Sequence, residues 1–146
     1  MTSDRSKSGK FENPGVEDRC ALLKRVKTIA VVGLSPNPAR PSYGVAKAMQ
    51  GFGYTIVPVY PGAKTVLGAK AYPRLADIPG PVDLVNVFRR AEHLDAVVSE
   101  CLGLEHKLLW IQEGIVNEPA ALRAQSGGMT VVMNRCIYRD YAEYCR

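Results

Sequence analysis

The chain has 146 residues, of which 47% are hydrophobic and 23% are charged, a balance that is typical of one globular domain. This composition excludes a collagen, a coiled coil and a wholly disordered chain. No apolar run reaches the roughly 18 residues of a membrane span, and the polar residues 1–15 lack the apolar stretch of a signal peptide. We therefore expect a cytoplasmic protein that does not contact a membrane.

The formal net charge is +5, and its distribution argues against a nucleic-acid ligand. Residues 1–27 hold seven basic and four acidic side chains, whereas residues 28–134 hold nine and eight. The surplus lies mostly near the ends of the chain, and aromatic residues are not interleaved with Lys and Arg as base-stacking surfaces require. We expect no nucleic-acid binding.

Cysteine and histidine spacing gives no sign of a metal site. The chain has four cysteines and two histidines without a CxxC pair or another zinc-ligand pattern: Cys20, Cys101, Cys136, Cys145, His93 and His106. We expect free thiols and no bound metal.

In chain order, residues 1–15 are expected to form a flexible N-terminal tail and residues 16–146 a single domain. The domain begins with an amphipathic helix, because Val16, Cys20, Leu23 and Val26 recur at helical spacing. Five short apolar runs follow, and they are typical of parallel strands covered on both faces: Thr28–Gly33, Tyr54–Val59, Asp83–Phe88, Lys107–Ile111 and Met129–Met133.

The segments between these runs supply helices. Apolar stripes predict helices over residues 45–52 and 94–102, and Asn117 followed by Pro119 predicts the start of another. Residues 60–81 are rich in Pro and Gly, and we expect a loop with at most a short turn at residues 75–78. The alternation predicts an α/β three-layer sandwich. Its Rossmann-like parallel sheet has five strands in the order 3-2-1-4-5, with helices on both faces.

Ligands of such a sheet bind at the carboxyl ends of the strands, where the strand order reverses. In the expected order the reversal lies between the first and fourth runs. Residues 33–42 join a strand directly to a helix, where Gly33 permits close backbone approach and the helix N-terminus offers N–H groups. Ser35, Arg40 and Ser42 add donors that suit phosphate. A Pro-rich connection without a ligand is the alternative interpretation.

Two observations argue against a nicotinamide site. The glycine patterns GxGxxG and GxxxxGK[ST] are both absent. The second run ends in Val59, Tyr60 and Pro61 rather than in the acidic residue that binds a ribose, and Lys64 follows. A lysine there favours an additional phosphate group.

The segments VVGLSPNPARPSYGVAKAMQGFGYTIVPVYP, LADIPGPVDLVNVFRRAE, LWIQEGIVNEPAA and VVMNRC together resemble the small bacterial CoA-binding proteins. These proteins are stand-alone relatives of the CoA-binding Rossmann domain of succinyl-CoA synthetase α-subunits, and the resemblance covers roughly residues 16–137. It implies a coenzyme A or acyl-CoA ligand. The second synthetase domain, which carries phosphohistidine chemistry, has no counterpart here, so no ligase activity is expected.

The resemblance also implies which residues contact the ligand. The CoA phosphates would lie against the first loop and helix, at Gly33, Leu34, Ser35, Asn37, Arg40, Pro41 and Ser42. After the second strand, Lys64 would meet the 3′-phosphoadenosine end, beside Tyr60 and Pro61. Val87, Phe88 and Arg89 would flank the adenine or the pantetheine. Gln112, Glu113 and Gly114 would line the pantetheine path.

Several of these residues have a second interpretation. Arg89 and Arg90 are either ligand contacts or solvated charges, and Tyr43 either touches ligand or packs. Glu113 is a lone carboxylate, which more often orients a ligand than acts as a base. Cys136 follows the last strand, and we hypothesise that it lies near the CoA thiol; a buried, inert thiol is the alternative. Trp110 is expected in the core.

Three functions therefore stay open at the level of sequence. The first is a coenzyme A or acyl-CoA binding protein without catalysis, acting as a monomer or a homodimer. The second is a nucleotide- or NAD(P)-dependent enzyme on the same fold, which the missing motifs and the missing nucleophile–base set disfavour. The third is a regulatory or interaction protein that uses the domain as a ligand sensor.

Overall fold

The computed structural model of the chain describes residues 10–146. This part of the chain contains seven strands. These are β1 (Thr28–Val32), β2 (Thr55–Val59), β3 (Thr65–Val66), β4 (Ala69–Lys70), β5 (Leu84–Val87), β6 (Leu108–Ile111) and β7 (Thr130–Met133). Five of them make one parallel sheet in the order β2-β1-β5-β6-β7, and β3 and β4 form a separate antiparallel hairpin.

Five α-helices accompany the strands: α1 (Val16–Arg25), α2 (Pro41–Gly51), α3 (Leu94–Gly103), α4 (Glu118–Ser126) and α5 (Ile137–Asp140). Short 3-10 turns occur at Leu75–Asp77 and Ala91–His93, and a π-helical turn at Tyr141–Cys145 ends the chain. No helix in the described part of the chain is long and apolar enough to cross a membrane. The predicted helices are confirmed, whereas the hairpin and the C-terminal helical segment were not predicted.

Local sequence explains where these helices begin. Pro41 occupies the first turn of α2, where its missing N–H costs nothing. The Asn117 side chain accepts a hydrogen bond from the N–H of Ala120 at 3.1 Å, which caps α4. Lys24 and Arg25 lie in the last turn of α1, where positive charge is favourable.

The sheet is buried on both faces, as its continuous apolar strands predict. On one face α1, α2 and α5 cover a cluster that includes Leu23, Ile29 and Trp110. On the other face α3 and α4 cover a cluster that includes Val85 and Val98. The predicted three-layer Rossmann-like α/β fold is confirmed, and Trp110 is a fully buried core residue.

The predicted strand order, 3-2-1-4-5, is wrong. Among the five long strands, counted in chain order, the observed order is 2-1-3-4-5, because β5 pairs with β1. The cause lies in the connection from β2 to β5, residues 60–83, which forms the β3–β4 hairpin and includes no crossover helix. Tyr72 makes a parallel bridge with Val59 and so occupies the outer edge of β2. The strand order therefore reverses between β1 and β5 rather than between the first and fourth long strands.

Residues 11–14 lie on the domain, which differs from the flexible tail expected for residues 1–15. Phe11 packs against the core, and its N–H donates to Glu118 Oε2 at 3.1 Å. The Asn13 amide donates to the Met133 carbonyl at 2.8 Å and accepts from the Met133 N–H at 2.7 Å, so it covers the outer edge of β7. Residues 1–9 lie outside the described part of the chain.

The expectation of free thiols is wrong for two of the four cysteines. Cys20 in α1 and Cys145 in the C-terminal turn form a disulfide across 125 positions of sequence. Packing of the first helix against the last turn brings them together, and no spacing rule would pair residues so far apart. Cys101 and Cys136 are free and buried.

A buried ion cluster joins the same two ends of the chain. Asp140 is almost fully buried and accepts hydrogen bonds from Arg19 Nε at 2.8 Å and from the guanidinium of Arg135 at 2.8 to 3.0 Å. Arg19 is also buried, and it donates to the Pro14 carbonyl at 2.7 Å. One carboxylate therefore balances two guanidinium groups from opposite ends of the sequence.

We predict that Asp140→Ala lowers the free energy of unfolding by about 3–5 kcal/mol, because Arg19 would remain charged, buried and unpaired. Glu92→Ala is the control, since Glu92 is exposed and its contact with Arg90, which is also exposed, is long at 3.9 Å. It should change stability by less than about 0.5 kcal/mol. Urea denaturation measures both, and equally small losses would contradict a stabilising role for the buried cluster.

Candidate functional site

A cleft of about 550 Å³ opens at the carboxyl edge of the sheet, on the side covered by α3. Its floor is made by the ends of β1 and β2, and α3 forms one wall. The opposite wall, which we call the outer wall, is the segment of residues 72–76 that follows the β3–β4 hairpin. The residues that line it are Val32, Gly33, Val59, Tyr60, Pro61, Pro73, Arg74, Arg89, His93, Ala96, Val97 and Glu100. This position beside the reversal of strand order is where open α/β sheets bind ligands.

Gly33 lies close to the chain that follows β5. It adopts φ +85°, and a Cβ atom added there would lie 2.5 Å from the Phe88 carbonyl oxygen and 3.2 Å from Arg89 Cδ. Side chains are therefore excluded by both space and backbone conformation. The result is a narrow junction between the ends of β1 and β5, with Arg89 leaning over it.

The first loop, residues 33–42, holds its shape through its own side chains. Ser42 Oγ accepts from the Ser35 N–H at 3.0 Å, and Ser35 Oγ accepts from the Asn37 N–H at 3.0 Å. Asn37 Oδ1 in turn accepts from the Ala39 N–H at 3.0 Å. Ser35 and Ser42 are buried, so these hydroxyls shape the loop from inside.

The outer wall is a strand-like return of the chain. Tyr60 donates its N–H to the Tyr72 carbonyl at 2.9 Å, and Tyr72 donates to the Pro58 carbonyl at 3.0 Å. The Ala76 N–H donates to Glu100 Oε2 at 3.3 Å, which ties this wall to α3. Buried Leu75 anchors it in the core. The wall therefore stands beside the end of β2.

Several basic side chains lie in the loops at this edge. Within residues 10–146, Arg40, Lys64 and Arg89 form no ion pair. Arg74 pairs only with Asp77 at 3.2 Å, and the Arg74 side chain is 70% exposed. Arg74 and Arg89 line the cleft, and cations that line a cleft attract an anionic ligand.

The loop after β6 is held by residues that follow β7. Gly114 donates its N–H to Asn134 Oδ1 at 2.7 Å. Glu113 accepts from Arg139 at 2.7 Å, and this hydrogen bond raises the pKa of the Arg139 guanidinium. Gln112 is buried and bonds to Asn86 and to the Ile137 N–H, each at 3.4 Å. Glu113 is therefore a paired surface carboxylate, which suits orientation better than proton transfer.

The structure brings together four of the residues singled out from the sequence, which line the cleft: Gly33, Tyr60, Pro61 and Arg89. Two others, Leu34 and Val87, are fully buried core residues, and Phe88 meets the site through its backbone. Arg40, Pro41 and Lys64 are exposed outside the lining. Contact of all these residues with a ligand stays a prediction.

Sequence reasoning missed the contribution of α3 and of the outer wall. His93, Val97 and Glu100 lie on or just before a helix, and Arg74 lies in a segment expected to be loop. The sequence pattern points to ligand contacts at strand ends, and it gives no sign that a helix lines the edge. Arg74 could be found only by knowing that Tyr72 pairs with the end of β2.

Neither free thiol lines the cleft. Cys136 is 8% exposed at the start of α5, so the hypothesis that it meets the CoA thiol stays a prediction. Burial raises the pKa of the Cys101 thiol to about 12, which keeps it protonated and unreactive. In the described part of the chain, no group of three His, Cys, Asp or Glu side chains could hold a metal ion.

Comparison with known proteins settles the family. The family model for the CoA binding domain matches residues 27–142, which covers the whole sheet and the cleft. The chain belongs to the CoA-binding domain family. Its membership confirms the resemblance found in the sequence, and it places the strand-end loops within the matched region.

Three relatives show how widely the domain occurs. YneT of Bacillus subtilis is 47% identical over 127 residues, covering 87% of this chain and 94% of YneT. A solved structure of a hypothetical protein from Pyrococcus horikoshii has a TM-score of 0.86 at 32% identity, covering 92% of this chain and 97% of that one. The ADP-forming acetate–CoA ligase II of Archaeoglobus fulgidus is 34% identical over 77 residues, which are 51% of this chain but 11% of the ligase.

We predict that Gly33→Ala lowers the free energy of unfolding by about 2–4 kcal/mol, because the methyl group would overlap the Phe88 carbonyl at a positive φ. Gly44→Ala is the matched control, since nothing lies within 4 Å of a Cβ added there. It lies inside α2 and should stabilise by up to about 1 kcal/mol. A Gly33→Ala protein as stable as wild type in urea denaturation would contradict the close contact.

Proposed function

We propose that this chain binds coenzyme A or an acyl-CoA in the cleft at the carboxyl edge and acts as a binding or sensor protein without catalysis of its own. The observation that carries the proposal is a cleft in which Arg89 lies beside the glycine junction, in a member of the CoA-binding domain family. Arg40 and Lys64, which are exposed outside the cleft lining, supply further positive charge near this edge.

The chemistry of the ligand fits this arrangement. Coenzyme A joins a 3′-phosphorylated adenosine, a pyrophosphate and a long, neutral pantetheine arm. The pyrophosphate would lie across the narrow junction at Gly33, near the N-terminus of α2 and Arg89, where free N–H groups and positive charge favour it. A cleft of about 550 Å³ lies within the range of roughly 300–1,000 Å³ for small-molecule sites and would hold the adenosine end.

The pantetheine arm would then run along the edge of the sheet toward the loop after β6. Residues 112–114 lie there, held in place by Asn134 and Arg139. This path leads toward Cys136 at the start of α5, so the thiol end of the ligand would come near that residue.

The side chains that line the cleft limit the reactions that it could catalyse. Among the described residues that line it, there is no Ser, Thr, Cys, Lys or Asp to act as a nucleophile. Glu100 uses one carboxylate oxygen to hold the outer wall through Ala76. His93 and Glu100 are the groups that an enzyme of the same fold would use for proton transfer, and a nucleotide- or NAD(P)-dependent enzyme is the alternative.

We predict that coenzyme A stabilises the protein against heat, whereas NAD, NADP and ATP do not. A ligand present at 100 times its Kd adds about 2.7 kcal/mol, which raises Tm by about 5–10 °C for a domain of this size. Thermal denaturation with coenzyme A, acetyl-CoA and the three other nucleotides measures this. Stabilisation by NAD but not by coenzyme A would contradict the proposal and favour the enzyme.

We predict that Arg89→Ala and Arg40→Ala each weaken coenzyme A binding about tenfold, because each removes a cation that would face phosphate. Lys107→Ala is the control, since Lys107 precedes β6 and lies at the opposite, amino edge of the sheet. It removes the same charge and should change Kd by less than about twofold. Titration calorimetry measures the three Kd values, and equal losses for all three would indicate only a long-range charge effect.

A further inference from the structure

The chain returns to the end of β2 after leaving it, and this return changes which cation lies there. Lys64 follows β2 directly in sequence, but it lies at the start of the hairpin, is exposed and does not line the cleft. Tyr72 comes back to pair with Val59 and Tyr60 through a bridge and a hydrogen bond. Arg74, two residues later, lines the cleft beside Pro61.

In Rossmann-like domains the residue beside the end of the second strand reads the ribose of the adenosine. An acidic side chain there binds free ribose hydroxyls, and an arginine accommodates a phosphate on the ribose. In this chain the position is filled through space by Arg74, a residue far from β2 in sequence order. Its guanidinium suits a phosphate oxygen pair better than a lysine does.

The surroundings of Arg74 also suit a phosphate that enters with the ligand. Its partner Asp77 holds it at 3.2 Å in an exposed pair three residues apart, with side-chain exposures of 70% and 32%. Exposed ion pairs of this kind are weak, so a phosphate group can displace Asp77 from the guanidinium. Arg89 and His93 line the same cleft, while Glu100 is the one carboxylate among the described lining residues and already accepts a hydrogen bond from Ala76.

From this geometry we infer that Arg74, and not Lys64, recognises the 3′-phosphate of coenzyme A and so distinguishes it from dephospho-CoA. The inference rests on the proposed function and sharpens it to one phosphate and one side chain. Asp77 keeps the guanidinium near the cleft until the ligand arrives, and it competes with the phosphate for the same donor.

The test compares Kd values for coenzyme A and dephospho-CoA by titration calorimetry. In wild type, coenzyme A should bind about tenfold more tightly than dephospho-CoA, and Arg74→Ala should remove this difference by weakening coenzyme A alone. Arg74→Lys should keep part of it. Arg90→Ala is the matched control, because Arg90 is also an exposed arginine with a nearby acidic partner and lies outside the cleft lining.

Each outcome bears on one of the two proposals. If wild type binds neither ligand, the proposed function itself is wrong. If it binds both and Lys64→Ala, but not Arg74→Ala, removes the difference, the role of Arg74 is wrong while coenzyme A binding stands. Asp77→Asn adds an independent check, since release of Arg74 should tighten coenzyme A more than dephospho-CoA. Thermal denaturation of each variant confirms that it is folded.

Discussion

The backbone of Gly33 lies against the backbone of Phe88, at the junction where β1 and β5 end side by side. This contact requires β5 to be the neighbour of β1, which it is in the observed order, and it requires a residue without a side chain at position 33. The helix that follows β1 and the helix that follows β5 lie on opposite faces of the sheet, so the loops diverge above the junction. The cleft is the space that this divergence leaves, and Arg89 reaches it because β5 ends two residues earlier, at Val87.

The same edge is stiffened from below by polar groups in an otherwise apolar core. Asn86 lies in the middle of the buried strand β5 and donates to the Trp110 carbonyl at 3.1 Å and to Gln112 at 3.4 Å. The Trp110 indole donates to the Arg135 carbonyl at 2.9 Å. Buried polar groups are costly unless paired, so these bonds favour one arrangement of the ends of β5, β6 and β7. A rigid edge reduces the entropy lost when a ligand binds.

Much of the fold can be predicted from the sequence because its signals are local. Apolar runs such as Thr28–Gly33 predict the strands, and Asn117 followed by Pro119 predicts where a helix begins. Strand order depends on where the next long strand is added. After β2 the chain could place it on the outer edge of β2, or it could cross β1 and place it on the other edge of β1, as it does. No local pattern predicts which alternative occurs, because the β3–β4 hairpin that follows β2 is too short to show a periodicity. The Cys20–Cys145 disulfide is also a long-range contact, and no local pattern in the sequence predicts it.

The candidate site shows this limit most clearly, since adjacency in sequence and adjacency in space select different residues. Lys64 is nearer to β2 along the chain, whereas Arg74 comes to the end of β2 in space, because Tyr72 pairs with Val59. The net charge of +5 is also a poor guide to where an anionic ligand would bind. Arg19, Arg135 and Arg139 near the ends of the chain pair with Asp140 and Glu113, so the three arginines add only one net positive charge. The cations that we propose for the ligand lie instead near the carboxyl edge, within a nearly neutral stretch of sequence.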